Sequence, residues 1–487
     1  MKKIISLILS AIMLFSLCLP ASAAAETEVA QKELHDGHPI VIVKGIDFAS
    51  LVKEDGSNAI ALDPVDLLGL IFEIGGLKAL GDKDAVAKAI ANFGKNLFKD
   101  IARDKEGNPA NPGVYMPKYL HSAAEIKDFD NDEKWADTAV GLFRSCARTF
   151  DATQVYLYTF DWRLSPFELA ADLKSFFDLV VEETGAKKID IAACSMGGMI
   201  TTCYVDTYFE EATELLDSVV YLSPAHNGAD VVGSAFTGDL VIDGDFLTDF
   251  LVAKLNNPFL TAIVKILGFF GFFKSIAKFV NNVISTHKEM IYDEFLCETF
   301  ATAFGLWGMV PDEYFDEAKA LFFDGKEGYD NALKEIAKIR EFVFKTETIH
   351  QNLINSGVKV SIVSHYDRAQ LPIYSKSYLH GDGVLESART SSGATFARFG
   401  ETLSDAELAG VEAEYISPDR VVNASTCKFS EQTWIIKDVK HVGCMTGSDH
   451  TEMAIWLLTQ DKQPTVYTNP AYPRFIRCDA NQNFIDF

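Results

Sequence analysis

The sequence predicts an α/β fold with a mainly parallel sheet, helices on both faces and an inserted helical cap. Short runs of β-branched and apolar residues recur along the chain with little polar alternation, which is typical of parallel strands buried on both faces. Helical patterns follow several of these runs. Between residues 230 and 350 the strand runs stop and only helical patterns remain, which indicates an insertion.

Six segments have the composition of buried strands. In chain order they are PIVIVKG (39–45), TQVYLYTF (153–160), KKIDIAAC (187–194), LDSVVYLSP (216–224), VKVSIVSHY (358–366) and TWIIKDV (433–439). The helix after the second segment has well-marked ends. Ser165 and Glu168 form a capping box around Pro166, and Gly185 follows the last apolar position.

The domain organisation follows from these runs. Residues 24–229 and 351–487 form the predicted core, residues 230–350 form the cap, and residues 51–150 are also largely helical. The cap carries four phenylalanines within five positions, namely Phe269, Phe270, Phe272 and Phe273. Because exposed rings would associate, we expect them either to pack the cap's own small core or to line an apolar cleft.

Residues 1–23 have the pattern of a secretory signal peptide. Two lysines precede an apolar run, and the small residues Ala21, Ser22 and Ala23 follow Pro20, which predicts cleavage near Ala23. The sequence therefore predicts a secreted protein, extracellular or at the cell surface, with a leader of bacterial type. No later segment reaches the roughly 18 uninterrupted apolar residues of a membrane-spanning helix, since lysines interrupt the best candidate.

The formal net charge of -25 excludes several kinds of partner. So acidic a surface repels phosphate backbones and anionic lipid headgroups, and we expect no nucleic-acid partner and no electrostatic membrane docking. Any lipid contact would have to be apolar. Of the eight cysteines, Cys18 lies in the leader and the others contain no CxxC pair, which argues against a disulfide framework or a zinc site and leaves one or two individual bridges open. The oligomeric state stays open.

The stretch AACSMGG (192–198) contains the candidate nucleophile, Ser195. Hydrolases place a nucleophilic serine on a sharp turn between a buried strand and a helix, usually as G-x-S-x-G, because the crowded backbone admits only small residues there. Here Ala193 replaces the first glycine and Gly197 is the second. The alternative is an ordinary serine at a tight turn, but the strand before it and the helical run after it favour the nucleophile.

A nucleophilic serine of this type is followed along the chain by an acid and then by a histidine. Asp382 lies in the polar turn LHGDGVLESA after the fifth strand, and Asp367, at the end of that strand, is the reserve acid. His441 comes directly after the last strand, in a loop that can reach the serine. His450 abuts the next helix and is the alternative base. We therefore predict that Ser195, Asp382 and His441 act together.

Two backbone N–H groups complete the predicted site as an oxyanion hole. They stabilise, by several kcal/mol, the negative charge that ester hydrolysis builds on the carbonyl oxygen. Met196, directly after the nucleophile, supplies one, and Ile46, in the loop after the first strand, supplies the other. This chemistry needs no cofactor and no metal. The acidic run at 128–133 lacks the glycine of a calcium loop, and position 139 lacks its final glutamate.

Other motifs resemble a known family. FDWRLSP (160–166) resembles the YDWR signature of the lecithin:cholesterol acyltransferase and phospholipid:diacylglycerol acyltransferase group of α/β-hydrolases. SPAHNG (223–228) is similar to the P-H-x-G turn of bacterial lipases, and GDGV (381–384) is similar to the group's acid loop. The resemblance covers roughly residues 153–228 and 358–460, together with the first strand.

The resemblance implies an α/β-hydrolase fold and lipid acyl-ester chemistry by a Ser–Asp–His triad, with Ser195, Asp382 and His441 at the matching positions. Acyltransferase activity is not carried over, because the cap and residues 51–150 match nothing in the group. The sequence thus predicts a secreted serine esterase or lipase that forms an acyl-enzyme. The alternatives are a non-catalytic protein of this fold that binds a lipid or a partner, and an acyltransferase that uses the same triad.

Overall fold

The computed structural model describes residues 37–46, 50–60, 63–126, 141–239, 241–255, 257–441 and 443–487. The predicted signal peptide at 1–23 and the acidic run at 128–133 lie outside the described residues.

The described strands form one large sheet and one small hairpin. They are β1 Ile40–Val43, β2 Val155–Tyr158, β3 Ile189–Cys194, β4 Leu216–Leu222, β5 Lys359–Tyr366, β6 Thr395–Phe396, β7 Val422–Asn423, β8 Thr433–Lys437, β9 Phe475–Cys478 and β10 Phe484–Ile485. The large sheet has the order β10-β9-β8-β5-β4-β3-β1-β2, and β6 pairs with β7. All neighbours in the large sheet are parallel except β9 and β10. The predicted α/β class with a mainly parallel sheet is confirmed.

Each of the six predicted segments forms a strand of this sheet. Every residue of β1, β2, β3 and β5 is buried, which is why these segments show no polar alternation. The sequence did not reveal β9 and β10. These strands have four and two residues, and they are partly exposed, so they carry too little apolar pattern to be recognised.

Helices cover both faces of the sheet. In β1, Val41 and Val43 belong to one cluster of buried side chains, whereas Ile40 and Ile42 belong to another. The helices outside the β4–β5 connection are Pro64–Leu80, Lys83–Phe98, Gly141–Thr149, Pro166–Thr184, Met196–Thr207, Phe209–Leu215, Ser387–Thr390 and Ser448–Leu458. Short 3-10 turns occur at Ala123–Glu125, Ala152–Gln154, Ala413–Tyr415, Ala424–Thr426 and Gly443–Met445.

The helix after β2 begins and ends where its sequence predicts. The Ser165 hydroxyl accepts a hydrogen bond from the N–H of Phe167, and Glu168 accepts one from the N–H of Ser165. Gly185 ends the helix at a φ of 68°, in the left-handed region that favours glycine. Local sequence alone therefore fixes where this helix begins and ends. It lies beside the helix that follows Ser195.

The described part of the connection between β4 and β5 contains helices joined by turns and no strand, as expected for the cap. Its helices are Asp230–Thr237, Gly244–Lys254, Pro258–Phe269, Phe272–Thr286, Lys288–Ile291, Cys297–Phe300, Phe304–Trp307, Asp312–Phe323, Asp330–Val343 and Thr346–Asn355, with a π-helical turn at Tyr292–Leu296.

The two helices of residues 64–98 pack against this insertion. The ring of Phe98 lies 5.9 Å from that of Phe295 and 5.3 Å from that of Phe300. The ring of Phe72 lies 5.8 Å from that of Phe272. Their side chains share one hydrophobic cluster with those of the insertion. Two stretches far apart in the sequence thus form a common helical layer.

The four cap phenylalanines have different surroundings. Phe273 is fully buried and Phe272 is half-buried, but Phe269 is 85% exposed and Phe270 is 77% exposed. The expectation that all four pack a core or line a cleft is therefore wrong for Phe269 and Phe270. Both lie at the turn between helices Pro258–Phe269 and Phe272–Thr286.

None of the helices in the described ranges is, by itself, long and apolar enough to cross a membrane. Helices Pro258–Phe269 and Phe272–Thr286 meet the length and composition criteria only as a pair, and they are bent by 71° relative to each other.

Candidate active site

Ser195 occupies a strained turn between β3 and the helix Met196–Thr207. Its backbone has a φ of 52° and a ψ of -124°, a conformation that costs a residue with a side chain about 1–3 kcal/mol. Three backbone hydrogen bonds hold the turn. The N–H of Ser195 donates to the carbonyl of Leu222, and the carbonyl of Ser195 accepts from the N–H groups of Gly198 and Ala225. The backbone thus has the geometry predicted for a strand-to-helix nucleophile turn.

Close backbone approach explains why small residues surround this serine. A Cβ on Gly197 would lie 2.5 Å from the carbonyl oxygen of Lys44 and 2.6 Å from that of Val43. A Cβ on Gly45 would lie 2.9 Å from the Cβ of Ser195. The loop after β1 therefore rests directly against the turn, and any larger residue at either glycine would push the two apart.

The Asp382 carboxylate is buried and held on both oxygens. Its Oδ1 accepts hydrogen bonds from the N–H groups of Val384 at 3.0 Å and Leu385 at 2.8 Å. Its Oδ2 lies 2.7 Å from Nδ1 of His441, which donates to it. The N–H of His441 also donates to the carbonyl of Asp382 at 2.9 Å. The acid loop and the histidine loop are thus joined through both side chain and backbone.

The charges of this pair stabilise each other. Burial disfavours the charged imidazolium of His441, but the adjacent carboxylate outweighs that cost, and the pKa of His441 is raised above its usual value of 6.5. Burial likewise disfavours the ionised form of Asp382, but the charge and hydrogen bond of His441 outweigh it, and the pKa of Asp382 is lowered. Asp382 is therefore ionised at neutral pH, as an acceptor for Nδ1–H must be.

The two reserve residues have other partners. Asp367 forms an ion pair with Lys437 at 3.2 Å. His450 is packed against the Phe484 ring at 4.7 Å, with its Nε2 3.4 Å from the Cys478 sulfur. Burial lowers the pKa of His450 to about 4, which keeps it neutral. The structure therefore pairs Asp382 with His441 and places Asp367 and His450 in separate contacts.

The predicted oxyanion donors lie on the two segments that meet at the turn. Met196 is the first residue of its helix, so its N–H has no acceptor within the helix. Ile46 ends the described part of the loop after β1 and directly follows Gly45, the residue in contact with Ser195. Among the described residues, no backbone acceptor is paired with the N–H of Met196 or of Ile46.

The insertion reaches the helix that begins after the serine. Ser195 is only 5% exposed. A Cβ on Gly305 would overlap the carbonyl oxygen of Trp162 and lie 2.6 Å from Cε of Met196. The segment Phe304–Trp307 therefore lies against the side chain of Met196, the residue that follows Ser195.

The FDWRLSP motif contributes structure beside this site. Arg163 is buried and forms an ion pair with Asp161 at 2.6 Å. The same guanidinium donates to the carbonyl of Val114 at 3.1 Å. It thereby joins the loop after β2 to the segment that follows the helices of residues 64–98.

Sequence reasoning missed a buried charge network between the acid loop and the insertion. Glu386, four positions after Asp382, accepts the N–H of Asp230 at 2.9 Å and the hydroxyl of Tyr374. Arg389 bridges to Asp230 at 2.9 Å. Asp230 begins the first helix of the insertion. The only sequence signal for this link was the proximity of these residues to the SPAHNG and GDGV motifs.

A second buried serine–histidine contact also escaped sequence analysis. Ser223 follows β4 at a φ of 41°, and its hydroxyl lies 2.6 Å from Nδ1 of His365. Both side chains are fully buried, and burial lowers the pKa of His365 to about 3. Ser223 belongs to the SPAHNG motif, but no spacing rule connects it to a histidine on β5.

One group of side chains has the spacing of metal ligands. His38, Asp190 and Asp217 hold potential ligand atoms within 4.8 Å of one another. The ammonium group of Lys359 lies 2.5 Å from Asp217 and already supplies a positive charge there. Asp190 and Asp217 stand near the amino ends of β3 and β4, at the sheet edge opposite to Ser195.

Comparisons with known proteins do not assign the chain to a family. No protein-family model matches it, and no curated protein does. Among solved structures it is similar to one titled "The crystal structure of Tle4-Tli4 complex", at 13% sequence identity and a TM-score of 0.33. The alignment covers 88% of this chain and 98% of the other. Similarity at this level transfers no residue role and no activity.

Proposed function

We propose that this protein is a secreted serine hydrolase of the esterase or lipase type, with Ser195 as nucleophile, His441 as general base and Asp382 as the acid that orients it. The observation that carries the proposal is the hydrogen bond from buried His441 to buried Asp382, 2.7 Å long, at the sheet edge that holds Ser195. These residues follow β8, β5 and β3, and parallel strands bring their carboxyl ends to one edge.

The geometry supports a two-step acyl transfer. Nε2 of His441 takes the proton of the Ser195 hydroxyl as the serine oxygen attacks the ester carbonyl carbon, and Asp382 stabilises the resulting imidazolium. The oxyanion then accepts hydrogen bonds from the N–H groups of Met196 and Ile46. His441 returns the proton to the departing alcohol, which leaves an acyl-enzyme. Water, deprotonated by His441, releases the carboxylic acid and restores the serine.

The composition of the insertion bears on the substrate class. The insertion contacts Met196 beside Ser195 and is rich in aromatic and aliphatic side chains, which suits an apolar acyl chain better than a polar one. Secretion rests on the signal peptide alone. An acyltransferase would use the same residues with an alcohol in place of water, so the products must be analysed to separate the two reactions.

The first test is covalent labelling with a fluorophosphonate probe, which reacts with an activated serine. We expect labelling at Ser195, and we expect Ser195→Ala to lose both labelling and hydrolysis of p-nitrophenyl esters while its thermal unfolding stays that of the wild type. Ser223→Ala is the matched control, because Ser223 also follows a strand at positive φ beside a histidine. We expect this control to keep its labelling.

Labelling that survives in Ser195→Ala and disappears in Ser223→Ala would contradict the assignment of the nucleophile. A folded wild-type protein that takes up no probe and hydrolyses no ester would favour the non-catalytic alternative, a binding protein with this fold.

A further inference from the structure

The helix Pro258–Phe269 and the turn that follows it expose an apolar surface that we call the hairpin tip. It consists of four side chains with exposed fractions of 57–85%, namely Phe259, Ile266, Phe269 and Phe270. Scattered exposed apolar residues are common on proteins, but four large ones on a single hairpin form a patch that is costly in water unless something covers it.

The patch extends onto the neighbouring helix Pro64–Leu80. Phe72 of that helix is 46% exposed, and its ring lies 5.8 Å from that of half-buried Phe272. The opposite faces of the hairpin helices are buried, since Val264, Phe273 and Ile276 have at most 2% exposure. The hairpin is therefore anchored to the protein on one side and presents aromatic rings on the other.

The charge of the hairpin is opposite to that of the rest of the chain. The protein contains 69 aspartates and glutamates, yet none lies between Asp249 and Glu289. The same stretch contains the lysines Lys254, Lys265, Lys274, Lys278 and Lys288. Lys274 and Lys288 form ion pairs with Asp245 and Glu317, whereas Lys265 and Lys278 are exposed. Lys265 lies on the same helix as the exposed rings, next to Ile266 and four positions before Phe269. The net charge of the whole chain predicts no electrostatic docking, but the local charge of this segment is positive.

We propose that the hairpin tip docks the protein on a lipid bilayer surface that contains anionic phospholipids. The rings of Phe259, Phe269 and Phe270 enter the boundary between headgroups and acyl chains, and Lys265 and Lys278 lie at the level of the phosphates. This is the arrangement of an interfacial amphipathic helix, in which apolar burial provides the binding energy and lysines select anionic lipid. The docking does not depend on the proposed hydrolase activity.

Other occupants fit the tip less well. A second copy of this chain in a symmetric contact would bring its own Lys265 and Lys278 toward the same lysines, so two tips repel each other. A spanning segment does not fit either, because the two helices have 12 and 15 residues and are bent by 71°. A bilayer surface satisfies both the exposed rings and the lysines.

The test is sedimentation with vesicles of phosphatidylcholine alone and of phosphatidylcholine mixed with phosphatidylglycerol. All variants carry Ser195→Ala, so that lipid cannot be consumed. We expect Phe269→Ser combined with Phe270→Ser to weaken partitioning into both kinds of vesicle by about tenfold or more, since each ring loses its apolar burial. Lys265→Gln combined with Lys278→Gln should weaken only binding to the mixed vesicles, by about fivefold per lysine.

The matched control is Phe344→Ser, which removes a ring that is 62% exposed at the end of a different helix of the insertion. It should bind both vesicles as the parent does, and thermal unfolding should show that all variants are folded. The proposal is overturned if the parent binds neither kind of vesicle, or if the double phenylalanine variant loses no more binding than the control. It is also overturned if the parent binds no lipid and forms a dimer in sedimentation velocity that the double phenylalanine variant does not form.

Discussion

Two buried histidines near the end of the chain differ in the groups that face them. His441 faces the carboxylate of Asp382, and its pKa is raised. His450 faces a sulfur and a phenyl ring, and burial lowers its pKa to about 4. At the residue scale, the partner of a histidine therefore decides its charge, because both side chains are comparably buried.

The electrostatics of His441 predict the acidic limb of the pH profile. A general base must be neutral, and a raised pKa means that the free protein loses activity as the pH falls through a value above 6.5. Asp382→Asn removes the carboxylate, so burial should lower the pKa of His441 and the acidic limb should move to lower pH. The same variant should lower kcat by about 10⁴-fold. His450→Ala should leave the limb in place. The measurement is kcat/KM between pH 5 and 9 for p-nitrophenyl acetate; a limb that moves only in His450→Ala would reassign the base.

At the element scale, the site depends on contact between a loop and a turn. The loop after β1 touches the Ser195 turn at Gly45, and the turn touches the same loop at Gly197. Strand pairing fixes this contact, since β1 and β3 are neighbours in the sheet and Val43 pairs with Ala193. The geometry of the turn and of the N–H of Ile46 thus depends on the register of two parallel strands.

Gly45→Ala should test this contact. The new Cβ would lie 2.9 Å from the Cβ of Ser195, so either the loop or the turn must shift. We expect kcat/KM to fall by about 10²-fold, because small displacements of reacting groups are costly. We expect the free energy of unfolding to fall by about 1–3 kcal/mol. Gly76→Ala is the control, since nothing lies within 4 Å of its added Cβ on an exposed helix face. Full activity in Gly45→Ala would show that the loop does not contribute to the oxyanion site.

At the scale of the whole molecule, the insertion between β4 and β5 and the helices of residues 64–98 share one core. Phe295, in the connection between β4 and β5, is fully buried against Phe98 from the stretch before β2. A Cβ on Gly94 would lie 2.5 Å from the Phe295 ring, so the two segments are in direct contact. Each of the two segments therefore buries part of the apolar surface of the other.

Phe295→Ala measures how much this shared core contributes to stability. We expect the free energy of unfolding, measured by urea denaturation, to fall by about 3–5 kcal/mol, the usual cost of truncating a buried phenylalanine. Phe344→Ala, which truncates an exposed ring in the same insertion, should change it by less than about 0.5 kcal/mol. A loss below about 1 kcal/mol for Phe295→Ala would mean that the two segments are held together by other contacts.

Local patterns in the sequence were sufficient for the elements that lie close to the site. The six buried strands, the capped helix Pro166–Thr184 and the small residues around Ser195 follow from runs of a few residues, because strand burial, helix capping and backbone crowding act over that distance. Chain order and the ends of strands predict Ser195, Asp382 and His441 as site residues. Their roles remain predictions.

Only the tertiary structure decided which side chains meet. The pairing of His441 with Asp382 across 59 positions, the contact of Ser223 with His365 and the network of Glu386, Asp230 and Arg389 depend on where strands and insertions come together. The same holds for the hairpin tip. The sequence predicts that Phe269 to Phe273 are apolar and helical. Which rings are buried depends on the neighbouring helices, because hydrophobic burial acts between surfaces that are distant in the chain.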